Sequence, residues 1–262
     1  MRSGKLLWRV TGTVAFLSLL LFLTGFSLSL QPQALAPDRP GVPDQTAPAE
    51  QAPLPKTGQL NVVALGDSLT RGVGDADGEG YVGKFRAAYE KASGQPITLT
   101  NLAISGIQSG RLKEQLQETT VQKLVQQADL ILFTIGGNDL FQQSGGIADL
   151  DKEMLDRAAV SLAHNFTQIL TTLRTINPEA KIVHVSLYNP FGDTEAKADT
   201  TPPTLAWNST AADIAARFPN VVVVPTYDLF YQKEKMYLYN DHFHPNSDGY
   251  ERMAMRVMQA VE

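Results

Sequence analysis

Residues 60–70 read Leu60-Asn61-Val62-Val63-Ala64-Leu65-Gly66-Asp67-Ser68-Leu69-Thr70, and the break at Gly66 decides the fold class. An apolar, β-branched run stops at a glycine and gives way to polar residues. A run this apolar, without polar alternation, suits a strand covered on both faces. Four similar runs follow, at 97–102 (ITLTNL), 130–135 (LILFTI), 181–187 (KIVHVSL) and 221–225 (VVVVP). Helical patterns separate them, at 81–93, 110–127, 151–176 and 204–218, and a last one occupies 247–261. Thr119-Thr120 interrupts the second pattern, which is expected to divide into two short helices, and Ser247 is a fitting N-cap for the last. Alternation of this kind predicts an α/β domain with a five-stranded parallel sheet and helices on both faces. Right-handed crossovers restrict the topology, and a flavodoxin-like strand order, 2-1-3-4-5, is expected.

In an open parallel sheet, ligands bind outside the carboxyl ends of the strands. The segments that follow the strands therefore converge on one rim. They are Gly66-Asp67-Ser68-Leu69-Thr70, Ala103-Ile104-Ser105-Gly106, Gly136-Gly137-Asn138-Asp139 and, further on, Tyr239-Asn240-Asp241-His242-Phe243-His244-Pro245. Their chemistry points to acyl transfer. A serine hydroxyl needs a base, usually a histidine oriented by a carboxylate. Asp241 and His244 are three residues apart, a spacing that lets a tight turn bring the carboxylate to Nδ1 and leaves Nε2 for Ser68. The backbone amides of Ser68 and Gly106 and the side-chain amide of Asn138 are the candidate donors to an oxyanion. Glycine at 106 permits close backbone approach, and an asparagine amide donates without carrying charge.

These four segments resemble the conserved blocks of the SGNH, or GDSL-like, hydrolases. Gly66-Asp67-Ser68-Leu69-Thr70 is similar to the block that carries the nucleophile, and Gly106 in NLAISG to the glycine of the second. Gly136-Gly137-Asn138-Asp139 matches a GxND block, and Asp241-His242-Phe243-His244-Pro245 a DxxH block. GDSL alone is a weak match, but four blocks in order are specific. The resemblance covers most of 58–262. It implies a three-layer α/β/α flavodoxin-like fold, ester or thioester substrates, no cofactor, no metal, Ser68, Asp241 and His244 as catalytic residues, and Ser68, Gly106 and Asn138 as the oxyanion hole. The look-alikes are bacterial secreted lipases and acylhydrolases of lysophospholipase and thioesterase type.

Plainer roles compete at several positions. Ser68 could cap a helix, Asp67 is expected to fix the turn through its side chain, and Asn138 could be a turn residue. His242 rivals His244, but the DxxH spacing favours His244 and leaves His242 at the rim. His164 and His184, in a helix and a strand, are expected to be structural. Asp75, Asp77 and Glu79 alternate, yet the rest of a calcium loop is missing. Residues 72–80 (GVGDADGEG) are expected to shape the site. Two other functions stay open: an acyltransferase passing an acyl group to a surface polysaccharide, and an inert binding module on the same fold.

Composition bounds the rest. Hydrophobic residues make up 43% and charged ones 19% of 262 residues, an ordinary globular balance. A net charge of −5 without a basic stripe argues against a nucleic-acid partner. With no cysteine, disulfides, thiolate catalysis and cysteine-bound zinc are excluded. At the N-terminus Arg2, Lys5 and Arg9 precede an uncharged apolar run, 10–30. A run of about 20 residues can cross a hydrocarbon core as a helix, and its basic flank should stay inside. Residues 1–30 are thus expected to be a signal peptide or membrane anchor that places the rest outside the cytoplasm. Pro37 behind Ala34-Leu35-Ala36 should hinder cleavage, which tilts the reading towards an anchor. Residues 31–57, rich in Pro, Ala and Gln, read as an extended tether to a hydrolase domain at 58–262.

Overall fold

The computed structural model describes residues 3–29, 54, 58–142 and 150–261. The chain divides into two units, Met1–Ala47 and Pro48–Glu262. In the first, the N-terminal apolar run forms α1 (Ser3–Ser29), whose described large side chains, Phe16, Leu21 and Phe22 among them, are exposed. Counted over the described residues, no helix is long and apolar enough to cross a membrane. The predicted tether, 31–57, lies outside the described residues apart from Leu54, which is buried in the same apolar cluster as Leu60 and Tyr81.

The second unit opens with β1 (Leu60–Gly66), α2 (Ser68–Arg71), α3 (Gly80–Ser93), β2 (Ile97–Asn101), α4 (Ser109–Gln115) and α5 (Thr119–Gln126). It continues with β3 (Leu130–Thr134), α6 (Gly137–Gln142), α7 (Lys152–Ile176), β4 (Lys181–Val185) and α8 (Lys197–Ala215). It ends with β5 (Val221–Val224), α9 (Tyr227–Phe230), α10 (Glu234–Tyr237) and α11 (Ser247–Val261). All four strand pairings are parallel, in the order β2-β1-β3-β4-β5, the expected arrangement.

The central strands β1 and β3 are apolar on both faces because both are covered. Val62 and Ala64 of β1 and Leu130 and Leu132 of β3 pack with Tyr81 and Phe85 of α3 and with Tyr250, Met253 and Val257 of α11. Val63, Leu65, Ile131 and Phe133 point the other way. There they meet Leu112 of α4, Val125 of α5, Leu162 and Phe166 of α7, and Trp207 of α8. Each such side chain contributes about 1.5–3 kcal/mol by leaving water. A one-residue slip of β1 would exchange its two sets, so the register Val62↔Leu130 to Gly66↔Thr134 is strongly specified. That register sets Gly66 beside Thr134 at the carboxyl edge, where the site is built.

Two local expectations are corrected. The helix expected from 204 starts at Lys197, with Pro202 and Pro203 inside it. Proline reads as a helix boundary because it lacks an N–H. Here the hydroxyls of Thr200 and Thr204 bond back to the carbonyls of Ala196 and Thr200, within the turns around the two prolines. The N-terminus of α11 is capped one residue earlier than expected. Asn246 accepts from the Gly249 amide at 2.9 Å, while Ser247 donates its hydroxyl to Asp75.

Candidate active site

The nucleophile candidate is held by the sheet itself. Gly66 ends β1 at φ +109°, and a Cβ there would lie 2.0 Å from the Thr134 carbonyl oxygen, so only glycine lets β1 and β3 close at this edge. The chain then turns into α2, and Asp67, not Ser68, is its N-cap: the Asp67 carboxylate accepts from the Leu69 amide at 3.0 Å. This bears out the turn-fixing role read for Asp67 and leaves the Ser68 hydroxyl free for other partners. Thr134 also donates to Asp67, at 2.7 Å, and the hydroxyls of Thr134, Thr70 and Tyr81 form a buried line behind it. Burial drives the Asp67 carboxyl above its ordinary range, against the bonds from Thr134 and Leu69 and the nearby charge of His244.

The other two members of the trio come from the loop between α10 and α11. Its ends are pinned by the antiparallel bridge Leu238↔Pro245 and by the Tyr239 amide, which donates to the His244 carbonyl at 2.7 Å. Inside that turn Asp241 Oδ1 accepts from the amides of Phe243 and His244, both at 3.0 Å. Its Oδ2 lies 2.6 Å from His244 Nδ1, and His244 Nε2 lies 2.9 Å from Ser68 Oγ. Burial alone would raise the Asp241 carboxyl. The bonds from the His244 side chain and from the His244 and Phe243 amides outweigh it and hold the group below its ordinary value. An ionised Asp241 fixes the Nδ1–H tautomer, so Nε2 can accept the Ser68 proton.

The expected oxyanion donors meet at the same cavity. Ser68, Gly106, Asn138 and His244 all line a space of about 500 Å³. Gly106, at φ +78°, has nothing within 4 Å of where a Cβ would stand, so its backbone conformation alone calls for glycine. Asn138, near the start of α6, donates one Nδ2 hydrogen to the Ile107 carbonyl at 3.0 Å and accepts from Gln142 Nε2 at 2.7 Å. Those bonds fix the amide and leave its second N–H for a ligand. A larger cavity, about 860 Å³ beside Leu155, Pro202 and Trp207, contains none of these residues.

The remaining candidates separate. His242 turns away from Ser68: its Nε2 lies 2.9 Å from Asp193 Oδ1, and its backbone sits at φ +56°. His184 is fully buried between Phe133 and Phe166, and burial pushes it down to about 3. His164 lies exposed on α7. Among the described residues no acidic or histidine cluster could hold a metal ion. Asp75 is instead occupied by the Gly80 amide at 2.8 Å, by Ser247 and, at 3.6 Å, by Lys84. These bonds fold the 72–80 loop so that Val73 lines the cavity. Three supports went unread in the sequence. They are Asp193, Gln142 and Tyr188, whose hydroxyl donates to the Phe243 carbonyl at 2.6 Å. Gln142 meets Asn138 only because 137–142 forms the helix α6, which was not expected, and Asp193 and Tyr188 have partners far along the chain; only the distinctive Tyr188-Asn189-Pro190 after β4 hinted at a turn there.

Comparison with known proteins agrees with this geometry. Residues 64–252 match the GDSL-like Lipase/Acylhydrolase family. The chain is 35% identical over 206 residues to the uncharacterized protein YpmR of Bacillus subtilis (strain 168), covering 77% of this chain and 81% of that protein. It is 31% identical over 207 residues to the spore germination lipase LipC of Bacillus licheniformis, covering 77% and 96%. The crystal structure of the lipase Lip_vut3 from a goat rumen metagenome superposes with a TM-score of 0.69 at 31% identity, covering 77% of this chain and 97% of that one. The chain therefore belongs to the GDSL-like lipase/acylhydrolase family and is an ester hydrolase of its esterase/lipase type.

Proposed function

We propose that the chain is a serine ester hydrolase that cleaves carboxylic esters or thioesters through an acyl-enzyme on Ser68, outside the cytoplasm. The observation that carries the mechanism is the hydrogen-bonded line Asp241–His244–Ser68, with separations of 2.6 and 2.9 Å. His244 Nε2 takes the hydroxyl proton as Ser68 Oγ attacks the carbonyl carbon. The oxyanion is held by the amides of Ser68 and Gly106 and by the free N–H of Asn138. The intermediate collapses as His244 returns the proton to the leaving alcohol or thiol, and the acyl group stays on Ser68. Water, activated by His244, then releases the acid. Asp241 holds the imidazole and offsets its transient positive charge. The lipases among the relatives support the ester class.

Placement outside the cytoplasm rests on Arg2, Lys5 and Arg9 ahead of an apolar helical run, the order expected of an exported or anchored chain. Fractionation tests it: the full chain should sediment with membranes or appear outside the cell, and recovery in the cytosol would overturn it. For the chemistry, Ser68→Ala should stay folded by circular dichroism and lose about a thousandfold or more of its turnover of p-nitrophenyl acetate. Near-normal turnover in that variant would overturn the assignment.

A further inference from the structure

Two cavities open from Ser68, and they are unequal. One, of about 30 Å³, runs past Leu69, Leu187, Tyr188 and Pro190. The other, of about 500 Å³, runs past Val73, Ser105, Gly106 and His244. Phe141 and Phe243 line both, so their rings stand at the division between them. Phe191 packs on each, with ring centres 6.3 Å and 6.0 Å away, and braces that wall.

The position of His244 assigns the two spaces, given the acyl-enzyme reading above. Three substituents leave the carbon attacked by Ser68. The carbonyl oxygen goes to Gly106 and Asn138. The leaving oxygen must receive its proton from His244 Nε2, and His244 lines only the large cavity. The acyl tail is left with the small slot. We infer that this slot is the acyl subsite and restricts the enzyme to short acyl groups, roughly acetyl to butyryl, on alcohols that can be bulky. A water-sized group needs about 10–15 Å³ of such volume, so the slot holds tails of about two to three carbons. Its walls are pinned. The Tyr188 hydroxyl is bonded to the Phe243 carbonyl at 2.6 Å, and the Asn208 side chain brackets both the amide and the carbonyl of Leu187 at 2.9 and 2.7 Å. Leu187 lines the slot and not the large cavity, as do Leu69, Tyr188 and Pro190, and its aliphatic side chain can be shortened to test the length limit.

The test is a chain-length profile with p-nitrophenyl esters from acetate to dodecanoate, each rate normalised to the active sites titrated by a fluorophosphonate. The intact enzyme should work best on the short esters, acetate through butyrate, and kcat/KM should fall about tenfold or more for each early methylene beyond butyrate. Leu187→Ala should move the optimum to longer chains, and the milder Leu187→Val should move it partway. At fixed acetyl group, enlarging the alcohol from ethyl to a sugar should change kcat/KM by less than about tenfold. A flat profile, or one rising from butyrate to dodecanoate, would overturn the inference, as would a Leu187→Ala profile that falls everywhere equally. Failure of the reading beneath it looks different: no labelling of Ser68 and no hydrolysis of any chain length.

Discussion

The serine and the histidine of this site meet at 2.9 Å but are held in very different ways. Ser68 sits at the end of a central strand, on a helix start capped by a carboxylate that is itself buried and bonded to Thr134. Asp241 and His244 sit in a partly exposed loop outside the sheet, tied by one β-bridge, turn hydrogen bonds and a few bonds to neighbouring loops. Their carboxylates also behave oppositely: burial raises Asp67, whereas hydrogen bonds from the His244 side chain and two amides outweigh burial and lower Asp241. The Ser68 side is therefore part of the fold, and its loss of geometry should appear as lost stability. The histidine loop is an attachment whose geometry can be altered while the domain stays folded.

The largest effect expected on this comparison comes from His244→Ala, which should lower kcat by about a thousandfold or more with little change in melting temperature. A large drop in melting temperature would show that the loop belongs to the fold after all. Next comes Asn138→Ala. Removing one oxyanion donor costs about 100- to 1,000-fold in kcat, near 2.7–4 kcal/mol, with KM nearly unchanged. A rise in KM at constant kcat would make Asn138 a binding or turn residue instead. A smaller effect is expected from breaking the His242–Asp193 pair. Exposed pairs contribute about 0–1 kcal/mol, so Asp193→Ala and His242→Ala should each cost less than about tenfold in kcat. His242→Gly should cost no more stability than His242→Ala, because it relieves the left-handed backbone at φ +56°. Equal and complete loss in the His242 and His244 variants would erase the distinction between them.

The smallest effect concerns Asp67, and only its direction is expected. A carboxyl whose folded value is raised is disfavoured in the folded state once the unfolded chain ionises, so its cost appears as pH rises through the ordinary carboxylate range. Asp67→Asn keeps an acceptor for the Leu69 amide and the Thr134 hydroxyl. Its stability relative to the parent should therefore increase from acid to neutral pH. A difference that is constant or shrinks with pH, measured by urea unfolding, would contradict the buried, raised carboxyl.

The same contrast governs what could be read in advance. Strand positions were legible because the central runs, β3 and β4 above all, are buried along their whole length and so read as short apolar stretches. Asp67, Ser68, Gly106, Asn138, Asp241 and His244 were legible because they follow strand ends or lie three residues apart in a turn. The start of α8 was not, since Pro202 and Pro203 look like a boundary unless the surrounding hydroxyls are known to bond back. Gln142 was hidden because nothing marked 137–142 as a helix, in which it meets Asn138 four residues back, and Asp193 and Tyr188 were hidden for another reason. What they do depends on a partner elsewhere: Asp193 meets His242, 49 residues away, and Tyr188 meets Phe243, 55 residues away. No local pattern records such a pair.

The central claim is that Ser68 carries the acyl group, and peptide-level mass spectrometry of the labelled protein tests it most directly. The full chain treated with a fluorophosphonate, or quenched with acid during turnover of p-nitrophenyl acetate, should carry one adduct, on the peptide containing Ser68. Label should be absent from Ser68→Ala and slowed in Asn138→Ala, since phosphonylation also places charge on an oxygen. An adduct on Ser105, or continued hydrolysis with Ser68 unlabelled, would contradict the account.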